Sequence, residues 1–114
     1  MKHGIAVLCL LSILFLAQGC SEEAPSLRVR NDFSKKVNVQ CKPAVGATLN
    51  INDVAGGTSS GFQDVAETTF SASASVQGES SAPTAVFTTK NKYRYTIVIT
   101  NTVPPEMKVE TEER

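Results

Sequence analysis

The chain has 114 residues, eleven lysines and arginines against eleven aspartates and glutamates, one histidine, three cysteines and no tryptophan. That length suits one small domain, near the size at which a single apolar core suffices with little margin. A formal net charge of zero excludes the global positive field that draws proteins to nucleic acid, and no nucleic-acid partner is expected.

The first element in chain order is a leader. Lys2 and His3 give a short positive start, Ile5 to Leu16 are apolar except for Ser12, and Ala17, Gln18 and Gly19 are small or polar. This is the layout of a secretory signal peptide, whose apolar region is roughly 7–15 residues long. A membrane-spanning helix needs roughly 17–25 apolar residues, so the run is too short to be one. The expectation is export, with residues 1–19 left out of the fold. Their removal takes away Lys2, Cys9 and the single histidine but no acid, leaving ten basic and eleven acidic side chains.

Next comes Cys20, followed by the polar stretch Ser21-Glu22-Glu23-Ala24-Pro25. The run from Leu16 to Cys20 resembles the lipobox of bacterial lipoproteins at Leu16, Ala17, Gly19 and Cys20. It departs from the commonest pattern three and two places before the cysteine, where Ala17 and Gln18 stand instead of a leucine and a small residue. The resemblance implies that the Cys20 sulfur is acylated before cleavage and that the membrane is a partner through this lipid anchor. Each buried CH₂ contributes roughly 0.8 kcal/mol, so two or more chains hold a protein stably where one does not. Residues 20–25 are then the lipidated cysteine and a solvated tether. Ser21 stands where lipoproteins retained at the inner membrane carry aspartate, which implies the outer membrane in a host that has one. The alternative is an ordinary signal peptidase cut that reads Ala17 and Gly19. The protein is then freely secreted, and Cys20 and Cys41 are available for a disulfide. Such a bridge closes a loop of about twenty residues and contributes roughly 3 kcal/mol. One sulfur cannot serve both purposes.

From Ser26 onward the apolar period is two. Leu27 and Val29 alternate with Arg28 and Arg30; Val37, Val39 and Cys41 with Asn38, Gln40 and Lys42; Leu49 and Ile51 with Asn50 and Asn52. Phe70, Ala72, Ala74 and Val76 alternate with serines, and Tyr93, Tyr95, Ile97 and Ile99 with Arg94, Thr96, Val98 and Thr100. Such alternation marks half-buried antiparallel strands, and turn residues separate the runs at the spacing of a sandwich or barrel. The expected fold is all-β, a small antiparallel β-sandwich of about seven strands near 26–30, 36–42, 47–52, 58–63, 68–77, 84–89 and 92–101. The sandwich domain then covers 26–102, and 103–114 is either an acidic tail or a charged edge strand. Ala72 and Ala74 leave room for a bulky neighbour among Phe62, Phe87, Tyr93 and Tyr95. The phrases Gly61-Phe62-x-x-Val65 and Tyr95-Thr96-Ile97-Val98 resemble small β-sandwich domains of unknown function in bacterial envelope proteins, a resemblance that supplies no catalytic residues.

Candidate chemistry is sparse. A nucleophile needs a base beside it; without histidine none is at hand for Cys41, whose parity with Val37 and Val39 makes it a buried, inert thiol. Asp53, Asp64 and Glu67 fall in turns that can converge at one end of a sandwich. Asn50, Asn52 and Asp53 are rich in oxygen but lack the spacing and terminal glutamate of a calcium loop. No zinc or haem spacing is present, so no cofactor, metal or catalytic residue is expected, a carboxylate enzyme being the remaining alternative. Tyr93 and Tyr95 share a face with Ile97 and Ile99, which points to core rather than to a stacking platform. The polar feature that stands out is basic. If the first and last strands are neighbours, Arg28, Arg30, Lys92 and Arg94 form a positive patch on one sheet face, suited to an anionic envelope component. The same charges also solubilise exposed faces and guard edges. The expected function is a lipid-anchored, non-catalytic binding or assembly module of the bacterial cell envelope.

Overall fold

The computed structural model describes residues 23–114. The leader 1–19, Cys20 with its expected acylation, and its possible disulfide partnership lie outside the described residues. The described residues form an all-β sandwich of eight strands: β1 (Ser26–Asn31), β2 (Val37–Pro43), β3 (Leu49–Val54), β4 (Gln63–Asp64), β5 (Thr69–Val76), β6 (Thr84–Thr88), β7 (Tyr93–Ile99) and β8 (Met107–Glu113). Sheet A has the order β4-β1-β7-β8 and sheet B the order β3-β2-β5-β6.

The expected strands form, with three differences. The central pair of sheet A, β1 with β7, runs parallel, while every other pair is antiparallel. Parallel neighbours need a long crossover, and here all of sheet B lies between them in the sequence. The strand expected over 58–63 is irregular. The Ser60 N–H donates to Val29 O at 2.8 Å, the Ser60 hydroxyl accepts from Val29 N at 2.9 Å, and regular pairing is confined to β4. The acidic segment after residue 103 resolves into β8, paired along β7 from Ile99–Met107 to Tyr93–Glu113.

Both inner faces follow the alternation. Leu27, Val29, Val37, Val39, Cys41, Ala72, Ile97 and Ile99 are fully or almost fully buried between the sheets. Of the four bulky residues weighed against Ala72 and Ala74, Phe87 and Tyr95 turn inward. They continue an aromatic row from Phe70, with ring centroids 5.6 and 6.0 Å apart. Phe62 and Tyr93 do not join it; each is 37% exposed. Tyr93 opens β7 beyond the end of the core, which corrects its expected burial.

The loops sort into two ends. At one end Asn31, wholly buried, donates from Nδ2 to Lys35 O and Val54 O at 2.7 and 3.0 Å and accepts from Phe33 N at 3.0 Å. Gly56 packs so closely on the Phe33–Ser34 backbone that a Cβ there would overlap it. On β3, Asn52 and Asp53 together face Asn38, a bulge. Asp53 sits at φ 58°, and its N–H donates to Asn38 Oδ1 at 2.7 Å. The opposite end gathers the loops 44–48, 65–68 and 89–92 with the start of the described chain. There the N–H of Lys92, at φ 75°, donates to Glu23 O, and Lys92 O accepts from Arg114 N, both at 2.8 Å. Val65 N donates to Pro25 O at 2.9 Å, and Arg114 Nη1 donates to Ala24 O at 2.6 Å. The free tether expected within 20–25 is therefore shorter, because residues 23–25 are tied into the fold.

Candidate functional site

The parallel pairing of β1 with β7 puts three of the four expected basic residues on one sheet face. Residues of even number in these strands point outward, and the register sets Ser26 beside Arg94, Arg28 beside Thr96 and Arg30 beside Val98. Arg28, Arg30 and Arg94 thus share the outward face of sheet A. Lys92 stands just before β7, in the turn at the tether end.

The three arginines are not equivalent. Arg30 bonds through Nε and Nη2 to the Asp32 carboxylate at 3.1 and 3.3 Å, and through Nη1 to Glu110 at 3.2 Å. These partners, the Asp32 hydrogen bonds foremost, raise its already high pKa further. Arg30 is thereby committed to the protein's own carboxylates. Arg28 and Arg94 instead lie over the ring of Phe62, with guanidinium carbons 4.5 and 5.2 Å from its centroid. Cation–π attraction of this kind contributes about 0.5–1 kcal/mol at exposed sites. Arg28 Nε also donates to Thr96 Oγ1 at 3.1 Å. Neither Arg28 nor Arg94 forms an ion pair among the described residues.

Next to this cluster runs a groove of about 270 Å³ lined by Arg28, Thr96, Glu110, Thr111 and Glu112. One wall offers a guanidinium and the other carboxylates and hydroxyls. Such a groove suits a ligand carrying an anionic group beside hydroxyls or amines, rather than a bare polyanion. The sequence did not single out Phe62 for this place. Only Gln63 and Asp64 follow it as regular strand, too short a run for parity to assign its face.

The remaining candidates disperse. Asp53 pairs with Lys36 at 3.2 Å at the Asn31 end. Asp64 pairs with Arg114 at 3.3 Å at the other end, where Glu67 accepts from Asn91 N at 2.8 Å. The three carboxylates do not converge on one site, as solvated turn residues need not. Among the described residues no group of three or more His, Cys, Asp or Glu side chains is arranged to hold a metal ion. Cys41 is a free thiol buried in the core, and burial pushes its pKa up to about 11.

Two further concavities differ in character. A groove of about 340 Å³ on the outward face of sheet B is lined by uncharged side chains, among them Asn38, Gln40, Asn50, Asn52, Ser73 and Ser75. An apolar mouth of about 270 Å³ opens at the tether end between Pro43, Val45, Leu49, Val65 and Phe70.

No family model matches the chain, and no curated protein matches it.

Proposed function

We propose that the protein is a lipid-anchored, non-catalytic binding module of the bacterial cell envelope, held through Cys20, and that Arg28, Phe62 and Arg94 bind an anionic envelope polymer. The observation that carries the binding half is the pair of guanidinium groups over the half-open Phe62 ring, neither of them in an ion pair with a carboxylate among the described residues. Charge-assisted hydrogen bonds from guanidinium to carboxylate or phosphate are about twice as strong as neutral ones and are geometrically selective. The Phe62 ring holds both donors in place, so less side-chain entropy is lost on binding. Glu110, Thr111 and Glu112 in the adjoining groove accept from the hydroxyls of a sugar-based polymer.

The non-catalytic half rests on side-chain chemistry. Export removes the single histidine, and Cys41 is buried with its thiol held neutral far above physiological pH. Lipid anchoring rests on the leader and on the placement of Cys20.

The mass of the mature N-terminal peptide tests the anchor: acylation on Cys20 is expected, and a free or disulfide-bonded Cys20 overturns it. Retention on an immobilised acidic polysaccharide at low salt tests the site. Arg28→Ala with Arg94→Ala should abolish retention, Phe62→Ala should weaken it, and added salt should elute the wild type. Equal retention of wild type and double variant would reduce the cluster to solubilising charge.

A further inference from the structure

We infer that the end of the sandwich formed by loops 44–48, 65–68 and 89–92 lies against the lipid bilayer, with the Pro43–Ala47 loop at the membrane surface. This rests on the lipid-anchored reading of Cys20 and deepens it, because the fold begins so close to the anchor. Glu23 is already bonded to Lys92, Ala24 to Arg114 and Pro25 to Val65. Only Ser21 and Glu22 separate Cys20 from Glu23. Three residue steps span at most about 10 Å when fully extended, which is too short to let a body of this size turn its other end to the bilayer. The anchor therefore selects one end.

The chemistry of that end fits a lipid surface. One of its loops, Pro43-Ala44-Val45-Gly46-Ala47, carries no charge, and Val45 at its tip is 86% exposed. A single exposed valine is ordinary on a protein surface, but this one lies on the rim of an apolar mouth that Leu49, Val65 and Phe70 continue inward. The same end carries Lys42 at the end of β2 and Lys90 and Lys92 in the turn before β7, together with Glu67 in the 65–68 loop. The ion pairs of this end join Arg114 to Glu23 and Asp64, which leaves those three lysines without a carboxylate partner among the described residues. An apolar tip at an end that also presents three lysines unpaired among the described residues is an arrangement that a phospholipid headgroup region accepts. The far end offers a built-in control, since Val103, in the loop between β7 and β8, is 88% exposed.

The test uses the acylated protein reconstituted in vesicles of phosphatidylcholine and phosphatidylglycerol that carry a spin-labelled lipid. Val45→Cys and Val103→Cys are each labelled with an environment-sensitive fluorophore without denaturant, with the wild type labelled in parallel to measure any reaction at buried Cys41. Fluorescence at position 45 should shift to the blue and be quenched severalfold more than at position 103. A protein that does not float with the vesicles overturns the anchor and the orientation together. A protein that floats but shows equal quenching at both positions, or stronger quenching at 103, overturns the orientation and leaves the anchor standing.

Discussion

On the outward face of sheet A, every position of the two central strands is at least partly covered: Ser26, Thr96 and Val98 are buried, and Arg28, Arg30 and Arg94 are half-buried. On the outward face of sheet B, Asn38, Gln40, Lys42, Thr69, Ser71 and Ser75 stand open, and only Ser73 is half-buried. Both faces are read from the same alternation, and both sheets have four strands in which the middle two are flanked on each side. What differs is the length of the side chains. Val98 lies between Arg30 on β1 and Lys108 on β8, whose methylene stems cover it while their charged heads reach water. Serine, threonine and asparagine on sheet B are too short to cover a neighbouring strand. The sheet A face therefore carries a thin third layer, and the sheet B face, with Lys42 as the one charge of its two central strands, is largely bare. Charge on sheet A does more than solubilise: it covers the sheet.

The widest separation between the two faces should come from placing a carboxylate on each. Val98→Asp buries a charge under Arg30 and Lys108, and should cost more than about 3 kcal/mol, enough to unfold a small domain. Ser71→Asp puts the same group in the open beside Lys42 and should change stability by about 0.5 kcal/mol or less. Urea denaturation of the two variants checks this. A Val98→Asp protein as stable as Ser71→Asp would mean that the sheet A face is as open as sheet B.

Much of the fold was legible because period-two alternation is a local property. The inward parities of Val29, Cys41, Ala72 and Ile97 all hold. The direction of the β1–β7 pairing was not legible, because alternation is the same for parallel and antiparallel neighbours. Nor was the burial of Val98, which the pattern assigned outward; the pattern was right about its direction, but its cover comes from residues about 70 positions away and ten positions ahead. The candidate site was half legible. Arg28 and Arg94 stood out by parity, whereas Phe62 follows an irregular run, and the diversion of Arg30 to Glu110 depends on β8, which the sequence left open between an acidic tail and an edge strand. The carboxylates stand apart because Asp53, next to the end of β3, and Asp64, at the end of β4, lie at opposite ends of the sandwich.

The interior beneath both faces offers the next effect. Cys41 is fully buried from the sheet B side, and burial alone raises its pKa to about 11. A raised pKa means that the folded state holds the proton more tightly than the unfolded one. The associated stability is whole below about pH 9 and is lost as pH rises toward 11, by about 1.4 kcal/mol per pH unit. Cys41→Ala should cost on the order of 1 kcal/mol at neutral pH through a small cavity, yet lose this part of the alkaline sensitivity. The two stability curves should converge as pH rises and then cross. Parallel curves from pH 7 to 11, or rapid labelling of the native thiol, would show that Cys41 is accessible to solvent.

The smallest effect separates cover from charge on sheet A itself. Arg30 is held by Asp32 and Glu110 at 3.1 and 3.2 Å, but its side chain keeps 34% of its exposure, and ion pairs this open contribute about 0.2–1 kcal/mol. Asp32→Asn removes one partner and leaves the arginine stem over Val98, so its cost should be a few tenths of a kcal/mol, vanishing in 1 M salt where the screening length is about 3 Å. Arg30→Ala removes the stem as well and should cost about 1 kcal/mol, most of it surviving in 1 M salt because uncovered apolar surface is not screened. Gln40→Ala on sheet B, which covers no buried neighbour, should be nearly neutral at either ionic strength. If salt abolished the Arg30→Ala deficit, Arg30 would act on sheet A through charge alone, and the two faces would differ in composition but not in construction.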